Sequence, residues 1–121
     1  EAFWHAVRHA RPLTIGLNCS FGAEQLRPHV AALSKIADAL IMVYPNAGLP
    51  NELGAYDELP ETTAALVREW ADAGQVNILG GCCGTTPEHI AAIARTVAGL
   101  PPRVLPVPEG LAGLEPFTMA A

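Results

Sequence analysis

Apolar positions along the chain repeat one pattern three times: a short continuous apolar run, a turn, then apolar residues at helical spacing. The runs are Leu13-Thr14-Ile15-Gly16-Leu17, residues 39–44, and Val76-Asn77-Ile78-Leu79. The middle run is apolar throughout, as expected of a strand buried on both faces. The helical periods are Leu26, Val30, Leu33 and Ile36 or Ala37 within residues 23–37, and Leu66, Val67 and Trp70 within residues 60–73. A third period, Ile90, Ile93, Ala94 and Val97, runs toward Gly99. Residues 1–10 read as a helix end without its own cap, with Phe3, Trp4 and Val7 on one face. Pro28 has to sit in the first turns of its helix or kink it. Thr86 suits an N-cap, Pro87 the first helical position and Glu88 the positive helix end, whereas Leu59 is a poor cap before Pro60.

Strand–turn–helix alternation implies parallel strands joined by right-handed helical crossovers, an α/β architecture. Ligands in such sheets gather at the C-terminal strand ends. Cys19, Asn46 and the pair Cys82-Cys83 each follow one of the three runs, so the topology predicts one shared rim for them. Glycines flank the cysteine pair in Gly80-Gly81-Cys82-Cys83-Gly84. Adjacent strand residues point to opposite faces, so both thiols can aim at one point only where the chain leaves the strand.

Composition narrows the field. The 121 residues suffice for one small domain, and half of them are apolar with 16% charged, as in a globular chain. A net charge of −5 leaves no basic stripe for nucleic acid. No apolar run approaches the roughly 20 residues that span a bilayer, and Glu1-Ala2-Phe3-Trp4-His5 does not resemble a signal peptide. Three cysteines do not pair into a disulfide framework, which points to a reducing, cytoplasmic setting. From Pro101 onward, prolines and an aperiodic stretch suggest a linker or tail, giving a folded part over residues 1–105 and a tail over 106–121.

The chemistry rests on the thiols. Zinc takes thiolate ligands in tetrahedral geometry, and three protein ligands leave one position open, as in catalytic sites. One distant cysteine plus an adjacent pair is not the local pairing of a zinc finger. Three thiolates around a dication leave a centre of about −1 charge, suited to holding a soft sulfur ligand and stripping its proton. The residues therefore predict thiol activation for alkyl transfer to sulfur. Buried structural cysteines, a redox dithiol and a strained Cys82–Cys83 disulfide are the competing readings. Asn46 either shapes the Pro45-Asn46-Ala47-Gly48 turn or serves as a labile fourth ligand. Asn18 is a turn residue or a substrate contact. His5, His9 and His29 read as surface residues, His89 as helix-end packing, and Trp4 and Trp70 as core or interface residues.

Gly16-Leu17-Asn18-Cys19 with Gly22, then Val43-Tyr44-Pro45-Asn46-Ala47-Gly48, then Gly80 through Ile90, together resemble the zinc-dependent homocysteine S-methyltransferase domain. The resemblance covers roughly residues 1–105. It implies a (β/α)8 TIM barrel of which this chain supplies the last three strand–helix units, since a full barrel takes about 250 residues. It also implies Zn2+ on Cys19, Cys82 and Cys83, homocysteine bound through sulfur, and methionine as product. The tail Gly113-Leu114-Glu115-Pro116 resembles the passage toward a folate-binding domain in the cobalamin-dependent branch, where methylcobalamin on another domain is the donor. Other branches use betaine or S-methylmethionine. The missing barrel units and the cobalamin- and folate-binding domains of a longer chain are the implied partners.

Overall fold

Backbone pairing links three parallel strands in the order β1-β2-β3: β1 Thr14–Gly22, β2 Leu40–Asn46 and β3 Ile78–Leu79. The computed structural model describes residues 1–106; the expected tail, including residues 113–116, lies beyond that. Helices α1 Ala2–Val7, α2 Ala23–Ile36, α3 Pro60–Asp72 and α4 Pro87–Val97 complete the fold, with a short 3-10 turn over Arg8–Ala10. The small parallel sheet is what continuous apolar runs joined by helical crossovers predict.

The core lies between the helices and one face of the sheet. Ile15, Ile41 and Val43 on the strands meet Leu26, Val30 and Leu33 of α2 and Val67 and Trp70 of α3. Trp4 caps this core and Val7 packs against it, whereas Phe3, expected on the same face, is 57% exposed. Pro28 is accommodated inside α2, in its second turn. α3 starts at Pro60 with no side-chain cap from Leu59.

Among the described residues, no helix lies over the opposite sheet face. It carries Gly16 against Met42 and Gly80 against the ring of Tyr44, while Ile78 is 37% exposed. A Cβ at Gly80 would stand 2.6 Å from the Tyr44 ring, so large and small residues alternate across this face.

Two expectations need correction. The run Val76-Asn77-Ile78-Leu79 yields only a two-residue strand. The cause is Asn77, whose side-chain Oδ1 accepts the Ile41 N–H at 3.0 Å, replacing a main-chain partner in the ladder. In α4, the stripe Ile90, Ile93, Ala94, Val97 does not all face the core: Ile93 does, and Ile90 is 44% exposed. These residues line a cleft of about 200 Å³ with Val76, Leu79 and Leu100 at the free β3 edge, because no further strand or helix flanks it among the described residues.

The segment past α4 folds back onto the strand starts. Arg103 is 4% exposed, and its guanidinium donates to the carbonyls of Ser34, Ala37 and Ala39. Its main-chain N–H donates to Val76 O at 3.1 Å, and its carbonyl accepts from Asn77 Nδ2 at 2.9 Å. A planar five-donor fork suits the carbonyls left open at the end of α2. Replacing Arg103 by Ala orphans buried carbonyls and is expected to cost about 2–3 kcal/mol, read as a lower urea midpoint with an unchanged slope.

Candidate metal and thiol site

β1 does not stop at Leu17, as the sequence suggests, but carries on past an irregularity between Asn18 and Gly22. Cys19 and Ser20 lie there at φ 56° and 63°. Left-handed backbone at non-glycine residues is costly and collects at functional sites. The turn swings the Cys19 side chain toward the end of β3.

Past β3, hydrogen bonds to β2 continue without regular strand geometry. Gly80 N–H donates to Val43 O at 3.2 Å and Cys82 N–H to Pro45 O at 2.9 Å, while Ala47 N–H donates to Cys83 O at 2.9 Å. Asn46, 3% exposed, adds its side chain: Oδ1 accepts the Cys83 N–H at 3.1 Å. Gly84 follows at φ 78°, and a Cβ there would run into Tyr56, so both its conformation and its closeness require glycine.

The result gathers all three cysteines of the chain. Their sulfurs lie within 4.8 Å of one another, in a group able to hold a metal ion, with Cys19 and Cys82 half-buried and Cys83 exposed. Cys19 and Cys82 are joined as a disulfide with Cα atoms 5.6 Å apart, and Cys83 Sγ stands 4.0 Å from Cys82 Sγ. The sequence reading expects three free thiolates and weighs a Cys82–Cys83 bond as the alternative; the bond formed is instead between the two cysteines Cys19 and Cys82, 63 positions apart. The expected partners on the rim are present too: Asn46 beneath the turn, and exposed Asn18 opposite Tyr44 in the β1–β2 register.

A loop between β2 and α3 closes the other side. His89 is buried and caps α4 with Thr86, as helix-end packing predicts, but it also holds this loop. Thr86 N–H donates to Nδ1 at 3.2 Å, which puts the ring proton on Nε2, and Nε2–H donates to Glu58 O at 2.7 Å. The buried Thr63 hydroxyl donates to the Glu58 carboxylate. At the α4 start, its own backbone N–H and the Thr86 hydroxyl hold the Glu88 carboxyl below the usual range. Tyr56, in the same loop, has its phenol pushed above its ordinary pKa by burial and then by the neighbouring Cys83. Neither Tyr56 nor Glu58 stands in a periodic stretch of the sequence; a lone aromatic between the second apolar run and Pro60 is the one signal there.

The family profile of homocysteine S-methyltransferases matches residues 1–97, most of the chain and all of the site. The chain belongs to the homocysteine S-methyltransferase family. Methyl transfer to homocysteine is the chemistry of that family, and the rim assembled from Cys19, Asn46, Cys82 and Cys83 lies wholly within the matched residues. No helix among the described residues is long and apolar enough to cross a membrane.

Replacing His89 by Ala removes the Glu58 clamp together with the Thr86 cap partner. We expect about 1–3 kcal/mol of destabilisation, seen as a lower urea midpoint, and faster amide exchange over residues 50–58.

Proposed function

We propose that this homocysteine S-methyltransferase chain is the last three strand–helix units of a (β/α)8 barrel, with Zn2+ held by Cys19, Cys82 and Cys83. The observation that carries the reading is the convergence of three sulfurs from two strand ends within 4.8 Å. Zinc–sulfur bonds of about 2.3 Å place tetrahedral ligands about 3.8 Å apart, close to the 4.0 Å between Cys82 and Cys83. The donor set therefore fits the metal once the Cys19–Cys82 bond is reduced, which suits a reducing, cytoplasmic setting. When bound, zinc with three thiolates leaves a position for the substrate sulfur and supplies the Lewis acidity that keeps a thiol ionised at neutral pH.

The chain's own residues provide the rest. Asn46 and the β2 end hold the double-cysteine turn in place, and the second lone pair of Asn46 Oδ1 suits a labile fourth ligand before substrate arrives. Asn18, exposed beside Cys19, is a substrate contact in this reading. The homocysteine sulfur attacks the donor's methyl carbon: the new S–C bond forms as the donor–carbon bond breaks, giving methionine. We assign the donor as methylcobalamin, as in methionine synthase, with betaine- or S-methylmethionine-type transfer as the alternative.

The large-and-small pairing of Met42 with Gly16 and Tyr44 with Gly80 fits the filled interior of a closed barrel. The remaining barrel units, and cobalamin- and folate-binding domains beyond them, are the partners this reading requires. Residues 1–105 then form the partial barrel and 106–121 the passage onward. The same uncovered face favours a second reading, a non-catalytic zinc-binding piece that docks onto a separately encoded partial barrel.

Loading the reduced chain with zinc and assaying it with homocysteine and methylcobalamin tests both. We expect about one zinc per chain, lost on Cys19→Ser, and turnover that is weak until the other barrel units are supplied. Robust turnover by this chain alone would refute the partial-barrel reading. Zinc content indifferent to Cys19→Ser, Cys82→Ser and Cys83→Ser would remove the metal assignment.

A further inference from the structure

A second cleft opens at the starts of the strands, on the opposite rim from the thiols. Trp4, Arg8, Arg11, Pro12 and Asp38 line about 360 Å³ there. Two connections meet at this point: residues 8–13 lead into β1, and residues 37–39 lead from α2 into β2. The Leu40 N–H donates to Leu13 O at 3.1 Å, which sets the two connections side by side. Each is fixed further. Arg11 N–H donates to Arg8 O at 3.0 Å, and Arg11 takes the left-handed conformation, at φ 51° and ψ 57°. Across the cleft, the carbonyls on either side of Asp38, those of Ala37 and Ala39, are held by the Arg103 guanidinium. Trp4 roots the α1 wall in the core.

Three charged side chains therefore border one cleft, on backbone that is held in place. The ion pairs among the described residues are Arg27–Glu69 and Arg68–Asp72, so Arg8, Arg11 and Asp38 belong to none of them. From residue 2 to residue 23 the chain holds no Asp or Glu, although the protein carries a net charge of −5. The two arginines thus make a local positive site in an acidic protein, with one carboxylate on the same cleft.

An exposed Arg–Asp pair gains little by closing on itself, so the charges stand apart at small cost. A ligand that carries both charges engages both sides at once. The planar fork of arginine binds a carboxylate through two parallel bonds, and Asp38 suits an ammonium. A lone anion would gain from the arginines but meet repulsion from Asp38.

We propose that this cleft binds a free α-amino acid, its carboxylate on Arg8 and Arg11 and its ammonium on Asp38. The assignment needs no metal and is separate from the reading of the thiols. Ligands that react in such sheets gather at the C-terminal strand ends. An amino acid bound at the strand starts is therefore a second ligand of the protein and not the reacting one.

Two-dimensional amide NMR of the full chain, titrated with L-methionine, locates the ligand and gives its affinity. We expect saturable shifts of the Arg11, Leu13, Asp38 and Ala39 amides, with a Kd of about 1 mM. N-acetylmethionine lacks the ammonium, methioninol lacks the carboxylate, and inorganic phosphate is an anion alone. Each is expected to bind at least about tenfold more weakly. Arg8→Gln and Asp38→Asn alter exposed residues, and each is expected to weaken L-methionine about tenfold with the spectrum still dispersed. Equal binding of N-acetylmethionine or phosphate would reduce the cleft to an anion site and overturn the proposal. Equal binding of methioninol would remove the arginines from it, with the same result. Shifts confined to residues 18–22 and 80–85 would place methionine at the thiols alone and overturn it too. So would unchanged affinity in both variants, or a chain whose amides do not respond.

Discussion

Four hydrogen bonds between the end of β2 and the double-cysteine turn hold the site together: Cys82 N–H to Pro45 O, Ala47 N–H to Cys83 O, Cys83 N–H to Asn46 Oδ1, and Gly80 N–H to Val43 O. They extend the pairing of two parallel strands into a stretch with no strand geometry of its own. Without them Gly80-Gly81 would be a free hinge, since neither residue has a side chain to pack. With them, the two sulfurs of the turn share the rim where Cys19 arrives from β1. The left-handed backbone at Cys19 and Ser20 is the matching distortion on the other strand. Local strain on one side and borrowed pairing on the other bring together residues 63 positions apart.

A disulfide between Cys19 and Cys82 and a group of three sulfurs able to hold a metal ion draw on one geometry. Both need sulfurs in near contact, and both exclude water-filled separation of the strands.

Much of this was legible in the sequence because burial imposes it. A run apolar at every position from 39 to 44 reads as a strand, though burial alternates along it, with Ile41 and Val43 buried and Met42 and Tyr44 half-buried on the uncovered face. Leu26, Val30 and Leu33 share a face on a helix. The rim followed from strand ends alone. Where reading failed, side chains had taken over work that patterns assign to the backbone. Asn77 answers Ile41 with its amide and so shortens β3. Ile90 and Ala94 sit at helical spacing, yet they face a cleft at a free sheet edge, and periodicity carries no information on whether a neighbour exists. Arg103, in a proline-rich stretch read as leading into a tail, is among the most buried polar residues, because its value lies in carbonyls more than 60 positions away in the sequence. Tyr56 has no periodic signal at all; only the position of Gly84 reveals it.

The Arg103 contacts bear on where this unit ends. Similarity to the family stops at residue 97, at the last residue of α4. The covalent chain nevertheless has to run six residues farther before the carbonyls at the end of α2 find their donor. A boundary drawn by resemblance and one drawn by hydrogen-bond satisfaction therefore disagree. Any dissection of the molecule at the shorter limit would leave intact every cysteine of the rim and yet remove the residue that closes the opposite end of the sheet.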